Sequence, residues 1–140
     1  MITAKQPLIF TSGKRKPLPE GKIKRLTAAV LKKEKIDPSR KINLICCSDY
    51  TIRKLNRCYR QVDKITDVLS FFFNDNDLLG EIYISLRRTE VQARRFGVSF
   101  NDEFLRLYLH GLLHLAGYDH AGPVETRVME TKARHYTARV

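Results

Sequence analysis

The 140-residue sequence predicts a single α+β domain, residues 1–140, in which a small mixed β-sheet of about four strands packs with about five helices. Three observations lead there. Short apolar or alternating segments of strand length are interleaved with segments whose apolar residues recur at helical spacing. The length supports one hydrophobic core and not two comfortable ones. No repeat, low-complexity tract or Gly/Ser linker divides the chain.

Taken in order, residues 6–11 read as a first short strand, followed by a Gly/Lys/Arg/Pro turn over residues 12–19. From Pro19 to about Lys35, Ile23, Leu26, Val30 and Leu31 recur on one helical face, and Asp37-Pro38 is expected to end that helix. Ile42–Cys47 is rich in strand formers. Ser48 or Asp49 can cap a helix reaching about Cys58, with Ile52 and Leu55 inward. Asp67–Phe73 is so dense in apolar and aromatic residues that it is expected to be a central strand. After the turn cluster Asn74–Asp77, Glu81–Ser85 alternates, with Ile82 and Ile84 on one face and Glu81, Tyr83 and Ser85 on the other. Leu86–Phe96 reads as a helix stopped by Gly97. Ser99 or Asn101 opens the next, through a Ser-Phe-Asn-Asp sequence resembling a capping box, and Gly117 ends it. Pro123 suits the first turn of a last helix reaching about Tyr136.

Charge is unevenly spread. Lysine and arginine number 26 against 15 acidic residues; residues 1–60 hold 16 basic and 4 acidic residues, net +12, and residues 61–140 hold 10 and 11, net −1. A basic half on a near-neutral half suggests a polyanionic partner, though a solvated basic face with no partner explains it as simply. Anionic membrane is a weaker option, because the basic residues lie on no long amphipathic anchor helix. No segment approaches the roughly 18–20 apolar residues of a membrane span. The N-terminus lacks a charged region followed by an apolar one, so no secretory signal and a cytoplasmic location are expected. Cys46, Cys47 and Cys58 suggest no disulfide framework and lack C-x-x-C spacing, which suits free thiols in a strand and a helix.

Most of the chemistry lies in the last third. Three of the four histidines, His110, His114 and His120, fall within eleven residues spaced H-x3-H-x2-G-x2-H. Four residues along a helix rise about 6 Å and return to nearly the same face, so two imidazoles at i and i+4 can converge on one ion. Gly117 can stop the helix and let the chain turn back to deliver His120. Three neutral imidazoles leave a fourth position open, the pattern of a catalytic zinc site, here zincin-like on a helix and the turn after it. His135 has no such company and reads as a surface residue of the last helix. The same spacing marks the metzincin proteases, which place a glutamate directly after the first histidine as general base. Here that position is Gly111. A bound ion would still lower the pKa of its water from about 15.7 toward about 7, so the proton acceptor must come from elsewhere.

With glycine at position 111, the eleven residues resemble the signature of the YbeY family, bacterial endoribonucleases of ribosomal RNA maturation. Asn56-Arg57-Cys58-Tyr59-Arg60 followed by Thr66-Asp67-Val68-Leu69-Ser70-Phe71 is similar to that family's N-x-x-Y-R and T-[DN]-V-L-S-F segments. Leu79-Gly80-Glu81-Ile82 resembles its L-G-D-I, with glutamate for aspartate, and Glu103 lies seven residues before His110 as in its helix. Phe72 departs from a common proline, and the tail after Met129 carries no family feature. The resemblance covers about residues 40 to 130.

It implies a metal-dependent, single-strand-specific endoribonuclease acting in 16S ribosomal RNA 3′-end maturation, with the small ribosomal subunit or assembly factors as partners. The family's ligands fall on His110, His114 and His120, and its important arginine on Arg60, so catalysis is expected to rest on Arg60 and His114. Zinc suits three histidines; nickel or another divalent ion is the alternative. Arg60 could hold a phosphate in bidentate fashion, or pair structurally with Asp63 or Asp67. Asp119 could form the turn, orient a histidine or act as a base. Attack by water and attack by the RNA 2′-hydroxyl both stay open. A non-catalytic RNA-binding assembly factor with a structural metal is the main alternative; a metal hydrolase of another substrate is disfavoured by Gly111 and the charge.

Overall fold

In a computed structural model, which describes residues 9–11, 17–73, 75, 77–118, 127 and 131, strands and helices follow one another as β1 (Ile9–Thr11), α1 (Glu20–Lys33), β2 (Lys41–Cys47), α2 (Asp49–Arg60), β3 (Val68–Phe72), β4 (Leu78–Ser85), α3 (Leu86–Phe96) and α4 (Phe100–Leu115). The strands pair in the order β1-β2-β4-β3; β1 and β4 run parallel to β2, and β3 runs antiparallel to β4. This is the mixed α+β architecture expected. Four helices stand among the described residues. Of the fifth, expected over residues 123–136, only Arg127 and Thr131 are described, both helical, with the Thr131 hydroxyl donating to the Arg127 carbonyl at 2.9 Å.

Strand β3 corrects one expectation. It lies at the edge of the sheet, not at its centre. Its apolar density has a different cause: helices cover both of its faces. Leu69 and Phe71 pack with Ile52 and Leu55 of α2, while Val68 joins the core formed with α4. That cover accounts for the apolar residues as far as Phe71; Phe72 and Phe73, 58% and 38% exposed, continue the run past it.

The helix ends follow local chemistry. Ser48, Ser85 and Ser99 cap α2, α3 and α4 by accepting from the backbone N–H groups of Thr51, Arg88 and Asp102. Gly97 ends α3 in the left-handed conformation. Helix α1 stops before Asp37-Pro38: Lys35 takes a left-handed φ of 57°, and the Ile36 N–H donates to the Leu31 carbonyl at 2.8 Å while the Ile36 side chain packs on the core. Ser85, assigned to the polar face of β4, is fully buried, because its hydroxyl both caps α3 and donates to Asp49 at 2.7 Å.

The larger core lies between one sheet face (Ile42, Leu44, Cys46, Ile82, Ile84) and helices α1 and α4. Tyr108 of α4 is fully buried, and its hydroxyl is 2.6 Å from that of Thr27 on α1, which in turn donates to the Ile23 carbonyl. Burial pushes the Tyr108 phenol pKa up, so it stays neutral and hydrogen-bonded. The opposite face carries the smaller cluster of Cys47, Ile52 and Leu69 under α2. The three cysteines form no disulfide; Cys46 and Cys47 are buried in β2 and Cys58 is exposed on α2.

Two glycines set how closely α4 approaches the sheet. A Cβ on Gly111 would lie 2.8 Å from Ile82 Cγ2 and 2.9 Å from Ser70 Oγ. One on Gly80 would collide with the Phe71 carbonyl oxygen and come within 2.6 Å of the Leu115 side chain. Gly111→Ala gains about 1 kcal/mol of helix propensity but meets a β-branched side chain with little freedom to move, and overpacking typically costs about 1–3 kcal/mol. Gly80→Ala meets backbone and has no helical gain to offset it. Urea unfolding is expected to show Gly111→Ala destabilised by up to about 2 kcal/mol and Gly80→Ala by about 2–3 kcal/mol or more; a stabilised Gly111→Ala would show that α4 is free to shift.

Candidate active site

Helix α4 is buried along most of its surface, including Leu107, Tyr108, Leu109, Gly111, Leu112, Leu113 and Leu115. One stripe is polar: Glu103, Arg106, His110 and His114, spaced i, i+3, i+7 and i+11, which is a single helical face. His110 and His114 stand one turn apart on it, each half-buried between fully buried neighbours. Glu103 is only 1% exposed and accepts two bonds from Arg106, at 2.8 and 2.7 Å, and one from Gln92 of α3 at 2.6 Å. Its ion pair with Arg106 fixes a half-exposed guanidinium one turn before His110; Arg106 was not singled out from sequence, although its i−4 spacing from His110 is a usable signal.

Beyond α4 the chain turns sharply. Gly117 takes a φ of 106°, its N–H donates to the His114 carbonyl, and the Tyr118 N–H reaches back to the Leu113 carbonyl, both at 3.0 Å. Only glycine adopts that φ freely. The Tyr118 hydroxyl donates to Glu34 of α1 at 2.9 Å, so the direction in which the chain leaves α4 is anchored to a second helix. His120, Asp119 and His135 lie outside the described residues. Two of the three expected ligands are thus placed together, and no group of three metal-ligating side chains converges among the described residues.

Arg60 is the last residue of α2, and it pairs with neither candidate carboxylate. Asp63 is taken by Arg53, with bonds of 2.8 and 3.3 Å that hold its carboxyl below the usual range. Asp67 accepts from its neighbours Val68 N–H and Thr66 hydroxyl. Instead Arg60 Nη2 donates to the Ser70 carbonyl at 3.2 Å, on the edge strand β3. The Ser70 hydroxyl donates to the Gly111 carbonyl, also at 3.2 Å. Arg60 is therefore linked through a single residue to the helical turn between His110 and His114. Ser70, which makes that link, lies in the Thr66–Phe71 segment, where nothing in the local spacing marks a serine that bridges two elements.

The motif residues now have physical roles. Asn56 is 6% exposed; its side chain donates to the Lys64 carbonyl, and its own carbonyl accepts from Val62, which folds the loop after α2 back on the helix and leaves Tyr59 and Arg60 exposed at its tip. Glu81 accepts from Asn43 Nδ2 at 2.9 Å and from the Tyr83 hydroxyl at 3.1 Å. Burial and the Glu81 carboxylate push the Tyr83 phenol up to about 12. The longer glutamate is thus held between these two donors on the α2 side of the sheet, with the buried Asn43 Oδ1 left without a partner. Gly111, where a protease would carry its base, faces Ile82 and Ser70 with no room for a Cβ, so no side chain at this position can reach an open coordination site.

Comparison with known proteins gives the family. The sequence model described as Endoribonuclease YbeY matches residues 11–140, further toward both ends than the motifs alone extend. Endoribonuclease YbeY of Desulforamulus reducens is 44% identical over 112 residues, covering 73% of this chain and 73% of the relative. That of Endomicrobium trichonymphae is 42% identical over 110 residues, covering 79% and 77%. The solution structure of TM1509 from Thermotoga maritima superposes with a TM-score of 0.60 at 34% identity, covering 92% of this chain and 86% of that one. On the family match over residues 11–140 and on these relatives, the chain belongs to the endoribonuclease YbeY family.

Proposed function

We propose that this chain is a metal-dependent endoribonuclease that cuts single-stranded precursor ribosomal RNA, in 3′-end maturation of 16S RNA, with one zinc ion held by His110, His114 and His120. The observation that carries the reading is the short path from Arg60 through Ser70 to Gly111, which sets an exposed guanidinium at the sheet edge beside the histidine helix. The curated relatives bear the name Endoribonuclease, and the net +12 of residues 1–60 suits a polyanionic substrate. No helix among the described residues is long and apolar enough to cross a membrane. A cytoplasmic location and contact with the small ribosomal subunit or its assembly factors fit such a substrate.

The residues present fit a metal. His110 and His114 share one helical face, both keep partial solvent access, and the anchored turn at Gly117–Tyr118 returns the chain before His120. When bound, a divalent ion there supplies Lewis acidity to a phosphodiester and activates water. The protein's own groups do the rest. Arg60 spends one donor on the Ser70 carbonyl, which fixes its plane and leaves the others to span two phosphate oxygens and offset the charge that builds in the transition state. Arg106, paired with buried Glu103, is held on the same stripe with its guanidinium half-exposed, where its donors not used by Glu103 can meet the strand. Leu109, Leu113 and Leu115, next to the histidines in sequence, are buried in the core, so the histidine stripe lies at the boundary of a low-dielectric interior, which strengthens these contacts.

Chelation is expected to abolish cleavage of single-stranded RNA and added zinc to restore it. His114→Ala should lose both cleavage and bound metal, the latter read by elemental analysis of the purified chain. Folded, metal-loaded protein that leaves single-stranded RNA intact would sink the nuclease reading in favour of a binding factor. Arg60→Ala should lower kcat/KM by about 100- to 1,000-fold while urea unfolding moves by less than about 1 kcal/mol, since an exposed bond to a carbonyl is worth little net. An equal loss of stability and turnover would make Arg60 structural.

A further inference from the structure

We propose that Tyr59, backed by Phe71, is a stacking platform for an unpaired RNA base beside the cleaved phosphodiester, an inference that rests on the nuclease reading above. The inner stripe of α2 grades from fully buried Ile52 through half-buried Leu55 to Tyr59, which is 67% exposed. The helix therefore overhangs the sheet at its C-terminal end, and the Tyr59 ring is held there by more than its backbone. It meets Phe71 edge-on with centroids 5.5 Å apart, and Phe71 meets Tyr83 the same way at 5.7 Å. Tyr83 is locked through its hydroxyl to Glu81. A ring that is braced from below and open above loses little entropy when a flat ligand settles on it.

Position and charge name the ligand. Consecutive residues of α2 contact consecutive residues of β3: Tyr59 touches Phe71, and Arg60 bonds Ser70. Ser70 and Phe71 point to opposite faces of an edge strand, so Arg60 sits where the strand crosses from the histidine side to the aromatic side. A single strand passing over this edge can present a phosphate to Arg60 and a neighbouring base to Tyr59. Arg60, the next residue to Tyr59, is exposed and pairs with no carboxylate among the described residues, whereas Arg53 is neutralised by Asp63. A guanidinium beside an exposed aromatic ring matches a nucleic-acid single strand, in which each phosphate is followed by a base that offers a π-face. An apolar peptide would leave that cation without a partner.

The chain contains no tryptophan, so Tyr59→Trp introduces a single one at the platform, excited at about 295 nm apart from the remaining tyrosines. In a His114→Ala background that does not cut, oligouridine is expected to quench this tryptophan at least two-fold. An abasic ribose-phosphate oligomer of equal length should bind, by anisotropy, without quenching. Tyr59→Ala should weaken oligouridine binding about ten-fold, as loss of one stacked base does, with abasic binding and thermal midpoint unchanged, and Tyr59→Phe should restore affinity. Oligouridine affinity left unchanged by Tyr59→Ala, or binding without quenching, overturns the base site alone and leaves the nuclease reading standing; it is also the result expected if a protein partner covers the ring. A wild-type chain that neither binds nor cuts RNA removes both.

Discussion

Residue 111 has no side chain, and the site is built on that fact. Because nothing projects from Gly111 toward the sheet, α4 lies close enough to β3 and β4 for the Gly111 carbonyl to accept from Ser70. Gly80 does the same service one strand over, beneath Leu115. The helix that bears His110 and His114 is thereby registered against the edge strand that receives Arg60. A single methyl group at either glycine would push these elements apart, and a displacement well under 1 Å at such a contact is enough to cost packing energy. The glutamate of zinc peptidases is absent from position 111 for a related reason: here that side of the helix is spent on packing.

A polar stripe on an otherwise buried helix would ordinarily cost stability, and this chain offsets that cost group by group. Glu103 is 1% exposed, yet its oxygens accept three bonds. Tyr108 and Thr27 satisfy each other between α1 and α4. Asn56, buried under the α2–β3 loop, holds that loop with its side chain and its carbonyl. Each buried polar group would cost about 1–3 kcal/mol if left unpaired, so these networks narrow the ways the helices can sit. The cations that remain outward, Arg60 and Arg106 among them, are then displayed at set positions instead of on freely moving side chains.

Much of this was legible in the sequence where the determinants are local. Serine caps, the glycine stops at 97 and 117, and the helical spacing of Ile23, Leu26, Val30 and Leu31 depend on a few neighbouring residues, and the elements they bound stand within a few residues of expectation. The i, i+4 pairing of His110 and His114 is likewise a property of any helix. Strand β3 is the exception: its apolar run includes the exposed Phe72 and Phe73, and only the pairing partners of a strand tell whether it is central or an edge. Lys35 escaped notice because a non-glycine residue in the left-handed region is held there by a bond that spans five residues and by the docking of Ile36.

The sequence by itself therefore determined the elements, their caps, the histidine pair and the family, since these follow from short spacings and from residue chemistry. The tertiary structure decided which groups the elements bring together. That Arg60 bonds Ser70 and not Asp63 or Asp67, that Gly111 faces the sheet, and that Tyr59 lies on Phe71 at an open edge are contacts between residues 10, 29, 41 and 12 positions apart, for Arg60–Ser70, Gly111–Ile82, Ser70–Gly111 and Tyr59–Phe71. Such contacts depend on how helices pack on a twisted sheet, a competition among many burial and hydrogen-bond terms of similar size, and no local pattern in the chain resolves it.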